Sequence, residues 1–364
     1  MTGPLAGVRV LELASIGPVP FAGMLLADLG ADVVRVDRPG GASLQLVPPE
    51  QDLLGRGKRS VLLDLKNPAD VDQLLTLVGH ADLLVEGLRP GVAERLGVGP
   101  DECLRRRARL VYGRMTGWGQ DGPYAGTAGH DITYLATAGA LHAIGDAGGP
   151  PQVPLNLVGD FAGALYLTTG LLAALHEART SGVGQVVDAA MVDSAAHLMT
   201  AFHGLVAHGL WRDERGVNLL DGGAPFYGVY ETSDGGWMAV GALEPQFYGE
   251  LLRRLGLDVA GVPDRADPAA WPALRERLAA AFVARTRDEW TEVFAGGDAC
   301  VAPVLSMSEA ARDPHLVARG TFVEHGGTVQ PSPAPRFSRT STSIGRPPPS
   351  RGEHTDEVLA EWSV

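Results

Sequence analysis

Val8-Arg9-Val10-Leu11-Glu12-Leu13, then Phe21-Ala22-Gly23-Met24-Leu25-Leu26-Ala27-Asp28-Leu29, then Asp32-Val33-Val34-Arg35-Val36-Asp37 is the stretch that decides the fold. Two short runs rich in β-branched residues flank an apolar segment of helical length, and a Pro-rich turn introduces that segment. The pattern repeats. Strands are expected over 60–65, 82–85 and 110–115, with a helix over 69–79. This βαβ rhythm predicts an α/β fold: a parallel, Rossmann-like sheet flanked by helices on both faces.

Two long apolar helices are expected near 131–144 and 160–178, then a strand over 185–189 and a helix to about 211. Beyond that the texture changes. Residues 212–223 are polar and glycine-bearing, and 227–232 with 237–243 form a hairpin around Ser233-Asp234-Gly235-Gly236. Helices over 245–255 and 271–295 complete a smaller α+β unit. The Pro-, Ser- and Arg-rich stretch 331–350 reads as an extended surface segment, and the last dozen residues as a closing helix. The expected division is a large α/β domain over 1–190, a helix and linker over 191–224, a small α+β domain over 225–318, and a return segment over 319–364 packing on the large domain.

The chain has 364 residues, 45% apolar and 20% charged, which suits a soluble globular protein with room for two cores. A net charge of −13 argues against nucleic acid as a partner, because phosphate backbones need a basic surface. Two cysteines, Cys103 and Cys300, give no disulfide framework and fit a reducing compartment; both read as buried thiols. The N-terminus lacks signal-peptide character, and Gly, Asp or His interrupts each apolar stretch before membrane-spanning length. A cytoplasmic protein without a membrane partner is expected.

Chemistry points to Ala128-Gly129-His130-Asp131-Ile132-Thr133-Tyr134 and to Gly159-Asp160. They put a histidine and a carboxylate at the mouths of two apolar helices. Histidine titrates near neutrality and burial can push a carboxyl there, so the pair could take a proton from one face of a carbon and return it to the other. Ordinary structural roles stay open: His130 as a core histidine, Asp131, Asp160 and Glu244 as helix caps. Arg38 ends a strand at the ligand-binding edge of the sheet, and Lys66, Arg89 and Arg95 follow strands in the same way. Their convergence favours a phosphate site. Gly117-Trp118-Gly119-Gln120-Asp121-Gly122 matches G-x-G-x-x-G in form only, since Pro123 and more loop follow where a helix should start. No nicotinamide or flavin site is expected.

The run 17–39, with Arg89-Pro90-Gly91, Gly117–Pro123 and Gly241-Ala242-Leu243-Glu244, resembles the family III CoA-transferases (the CaiB/BaiF superfamily) over essentially the whole chain. Gly129–Tyr134, Asn156-Leu157-Val158-Gly159-Asp160 and Ala334-Pro335-Arg336-Phe337-Ser338 resemble its racemase branch, which inverts the α-carbon of 2-methylacyl-CoA thioesters. The resemblance implies His130 as the base on one face, Asp160 as the acid on the other, and Glu244 paired with the histidine. It implies CoA contacts at Arg38, at Leu63, Asp64, Leu65 and Lys66, at Gly87, Leu88 and Arg89, at Arg95, and at Gly129, Asp131, Ile132, Thr133 and Tyr134. Leu63 and Leu88 stand where relatives often carry Ala and Tyr, so ring contacts at Leu88 would be lost. The resemblance further implies an interlocked homodimer in which Glu244 comes from the partner, and neither metal nor redox cofactor, because coenzyme A is part of the substrate. N–H groups at the helix start near Asp160 are expected to receive the enolate oxygen. The rival within the family is acyl-CoA:carboxylate CoA transfer with Asp160 as nucleophile, which does not need the histidine. A catalytically silent CoA-binding protein would have no reason to keep His130, Asp160 and Glu244 together.

Overall fold

The computed structural model describes residues 3–40 and 46–362. Contacts divide the chain into two compact units: residues up to Ala138, Leu155–Leu198 and those from His315 onward form the first, and Gly139–Pro154 with Met199–Pro314 the second.

The first unit opens β1 (Arg9–Leu13), α1 (Pro18–Asp28), β2 (Asp32–Asp37), β3 (Arg59–Leu62), α2 (Pro68–Val78), β4 (Leu83–Glu86), α3 (Val92–Arg95), α4 (Pro100–Arg106) and β5 (Val111–Thr116). It continues with α5 (Asp131–Thr137), α6 (Ala162–Ser181), β6 (Val186–Ala190) and α7 (Met191–Leu198). The six strands form one parallel sheet in the order β3-β2-β1-β4-β5-β6. Successive side chains of a strand point to opposite faces, so a sheet covered on both sides needs apolar residues at consecutive positions. That is how the opening stretch is built. Val10, Val33, Leu83 and Val85 pack on one face with residues of α1 and α6, while Leu11, Val34, Val36 and Leu84 pack on the other with α2, α4 and Trp362.

The second unit contains α8 (Thr200–Ala207), β7 (Tyr227–Glu231), β8 (Trp237–Gly241), α9 (Pro245–Leu255), α10 (Trp271–Phe282), α11 (Arg287–Phe294), β9 (Val301–Pro303) and α12 (Met307–Ala310). Its antiparallel sheet, β7-β8-β9, packs Tyr230, Met238 and Val240 against Leu251, Leu274, Phe282 and Trp290. After α13 (Pro314–Ala318) come a hairpin of β10 (Phe322–His325) and β11 (Thr328–Pro331), an irregular stretch, and α14 (Thr355–Trp362). This stretch ties back to the first unit: Arg56 donates to Gln330 Oε1 at 2.8 Å, and Gly57 N–H to the Arg346 carbonyl at 2.8 Å.

Several expectations need correction. The helix expected over 131–144 stops at Thr137, because Gly139 adopts φ 83°, a left-handed exit that favours glycine. The helix expected to 211 breaks at Met199 into α7 and α8. The helix over 271–295 is two helices, because Thr286 caps α11: its hydroxyl accepts from Glu289 N–H at 3.2 Å while Glu289 accepts from Thr286 N–H at 2.8 Å. Glycine and Asp160 do not interrupt the apolar run before α6. Leu157–Ser181 is one helical span of 25 residues, long and apolar enough by length and composition to cross a membrane. One of its faces belongs to the core of the sheet, through Ala164, Leu167, Leu171 and Leu175. Cys103 is buried as expected, but Cys300 is exposed.

Candidate active site

In a parallel sheet of this order, the crevice opens at the carboxyl ends of β1 and β4, where connections diverge to opposite sides. A cavity of about 920 Å³ lies there, walled by the loops after β1, β2, β4 and β5 and by His130, Asn156 and Asp160. Its size suits an organic ligand. All of its wall comes from the first unit.

His130 is the N-cap of α5 and Asp131 its first residue, so the expected cap role of Asp131 falls to the histidine. The backbone N–H of His130 donates to Thr133 Oγ1 at 3.1 Å, which fixes the entry into the helix. The His130 ring is exposed at the cavity wall, which excludes a core role. Asp160 is not the N-cap of α6. It sits inside a single wide turn, Leu157–Phe161, closed by Phe161 N–H donating to the Asn156 carbonyl at 3.0 Å. Such i→i+5 turns inside helices occur often at functional sites. Here the turn presents Asp160 to the cavity.

The surroundings of Asp160 raise its proton affinity. Burial is the largest cause, and the negative charge of Asp131 adds to it; a hydrogen bond from Asn156 and the nearness of His130 oppose it. Asn156 Nδ2 donates to Asp160 Oδ2 at 2.7 Å. The backbone N–H of Asp160 donates to Asp131 Oδ2, also at 2.7 Å. That N–H is therefore committed and cannot receive an enolate oxygen, contrary to expectation. The first-turn N–H groups of α5, at Asp131 and Ile132, have no intrahelical acceptor and lie next in sequence to His130.

Of the residues expected to hold CoA, Arg38, Gly87, Leu88, Arg89, Gly129 and Tyr134 line the cavity. Tyr134 packs edge-on against Trp118, with ring centroids 4.8 Å apart. A Cβ on Gly117 would lie 2.0 Å from this ring, so the glycine of the false dinucleotide motif makes room for Tyr134. Leu63, Asp64, Leu65, Lys66, Arg95, Ile132 and Thr133 lie outside the lining, as does the side chain of Asp131, which is 4% exposed. In the turn after β3, Leu63 N–H donates to the Asp37 carbonyl, Asp64 N–H to Asp70 and Lys66 N–H to Asp64, which leaves the Lys66 side chain projecting as an exposed cation. Glu244 is the exposed N-cap of α9 in the second unit, and its side chain makes no capping bond.

The sequence pattern of CoA-transferase family III matches residues 5–355. The chain belongs to that family. It is 46% identical over 361 residues to the α-methylacyl-CoA racemase of Mus musculus, and 44% identical over 362 residues to that of Homo sapiens. Each alignment covers 98% of this chain and 93% of the relative. Among solved structures, a CaiB/BaiF family protein from Brucella suis superposes with a TM-score of 0.85 at 26% identity, covering all of both chains.

Sequence reasoning gave no role to several residues of this family III site. Asn156 stood within a quoted motif, and its i,i+4 spacing to Asp160 was the available signal. Ser15 Oγ and Trp118 Nε1, both on cavity-lining residues, are buried without a protein partner among the described residues, and buried polar atoms of this kind call for a ligand or water. Met115 and Met191 add soft apolar surface to the cavity. Arg351 enters the wall from the return segment.

Proposed function

We propose that this chain inverts the α-carbon of 2-methylacyl-CoA thioesters by proton transfer between two groups, through an enolate. The observation that carries the reading is the joint presence, in the lining of one cavity, of an exposed His130 ring and an Asp160 whose proton affinity is raised by burial. Its likeness over 98% of its length to two α-methylacyl-CoA racemases supports the same reaction class. His130 removes the α-proton from one enantiomer. Asp160 returns a proton to the other face, and the roles reverse for the opposite enantiomer.

The CoA moiety lies along the cation-bearing edge. Arg38 and Arg89 take phosphate charge at the cavity, with Lys66 and Arg95 beside it, and binding energy far from the reacting carbon holds that carbon between acid and base. Such a reaction needs neither metal nor redox cofactor. A homodimer is part of the reading, with Glu244 of one copy completing the site of the other. The exposed Leu157, Leu165 and Leu198 of the first unit are apolar surface suited to self-association. We place the enzyme in the cytoplasm, in lipid metabolism.

The test is a pair of single substitutions. His130→Ala and Asp160→Ala should each lose inversion by about 10²- to 10⁴-fold, the usual contribution of one acid–base group. Each should retain α-proton exchange on one enantiomer only, opposite in the two variants. Inversion by His130→Ala within a few-fold of the parent would contradict the assignment and favour Asp160 as the nucleophile of a CoA-transferase.

A further inference from the structure

The carboxyl of Asp131, the residue after His130, is hydrogen-bonded to the backbone of Asp160 and is in an unusual state. Its Oδ2 accepts the backbone N–H of Asp160, a bond that spans 29 residues and pins the wide turn to the start of α5. Its Oδ1 is buried without a partner among the described residues. A half-satisfied carboxyl in the interior is costly, and an amide or apolar side chain would serve packing better. The fit is also tight, because a Cβ on Gly159 would lie 2.3 Å from Oδ2.

We propose that Asp131 is a positioning residue for Asp160, holding the turn that carries the acid and keeping a fixed negative charge behind it. The inference rests on the proton-transfer reading above. Two enantiomers of nearly equal energy are interconverted best by two groups of similar proton affinity. Free aspartate and histidine titrate near 3.9 and 6.5, about 2.6 units apart. Burial raises the proton affinity of Asp160, and the charge of Asp131 raises it further. Asn156, on the same turn, and His130 act in the opposite sense. From α5, Tyr134 also feels Asp160: burial raises its phenol first, and the charge of Asp160 adds to that rise. The elements α1, α6 and α7 also pack on the turn, but the titratable groups they carry, Asp28 on α1, Tyr166, His176, Glu177 and Arg179 on α6, and Asp193 and His197 on α7, are not among the influences on Asp160.

The experiment compares the parent with Asp131→Asn as full chains, reading α-deuterium uptake from each enantiomer of a 2-methylacyl-CoA against pH. The variant removes the charge and keeps the shape. The limb of the kcat/KM profile that belongs to Asp160 should move to lower pH. At neutral pH kcat should fall by less than the roughly 10²- to 10⁴-fold cost of losing the acid itself, and KM should hold. An unmoved limb in a folded variant overturns the proposal alone. Absence of exchange in the parent overturns the proton-transfer reading and the proposal with it. Should the variant not fold, a carboxyl carbon-13 titration of the parent decides: protonation of Asp160 that also displaces the Asp131 carboxyl signal supports the proposal, and an Asp131 signal that does not respond to it overturns it.

Discussion

Asn156 donates to Asp160 Oδ2 from four residues back along the chain, while Asp131 holds the backbone of the same residue from behind. The two contacts are similar in length and opposite in electrostatic effect. A hydrogen bond to the carboxylate favours its charged form; a neighbouring negative charge disfavours it.

Asn156→Ala should therefore move the Asp160 limb of the pH–rate profile to higher pH. Removing a donor to the ionised form leaves burial and Asp131 less opposed. The shift is opposite in sign to the one expected for Asp131→Asn, and the same deuterium-exchange profile reads both. Movement of the limb in the same direction in the two variants would contradict this electrostatic account of the turn.

In the lining of the same cavity, Lys58 Nζ donates to both carboxylate oxygens of Glu12, at 2.9 and 2.7 Å, and to the Pro20 carbonyl at 2.9 Å; both side chains are fully buried. Lys58→Met would strand a buried carboxyl and should cost about 3–5 kcal/mol of stability in urea unfolding. The pH dependence has a definite sign. Burial raises Glu12 above its unfolded value, and losing Lys58 removes the main force opposing that rise. A carboxyl raised on folding contributes stability below its unfolded pKa and loses it as pH rises through the folded one. The variant should lose stability on going from acid to neutral pH. Adding Glu12→Gln should flatten that dependence.

Much of the fold was legible because local rules and tertiary packing agreed. Asp32–Asp37 reads as a strand and is one, since consecutive apolar positions serve both faces of the sheet. Pro245 and Gly256 bracket α9 with the residues that favour helix starts and left-handed exits. Some misses had a visible signal: Thr286-Arg287-Asp288-Glu289 is a capping box inside an apolar pattern, and Gly326-Gly327 marks the turn between β10 and β11. The site was legible in its residue types and not in its contacts. The bond from Asp160 to Asp131 depends on how α5 meets the wide turn. Neither that meeting nor the turn itself leaves a periodic trace in the chain. The N–H groups near Asp160 therefore looked free for an enolate when one of them is already committed.

The most direct test of proton transfer is to incubate the protein in heavy water with one enantiomer of a 2-methylacyl-CoA and an added free carboxylic acid. The expected result is deuterium at the α-carbon together with loss of optical purity, while CoA stays on its original acyl group. Movement of CoA to the added acid with the α-proton retained, and a thioester trapped on Asp160, would contradict it.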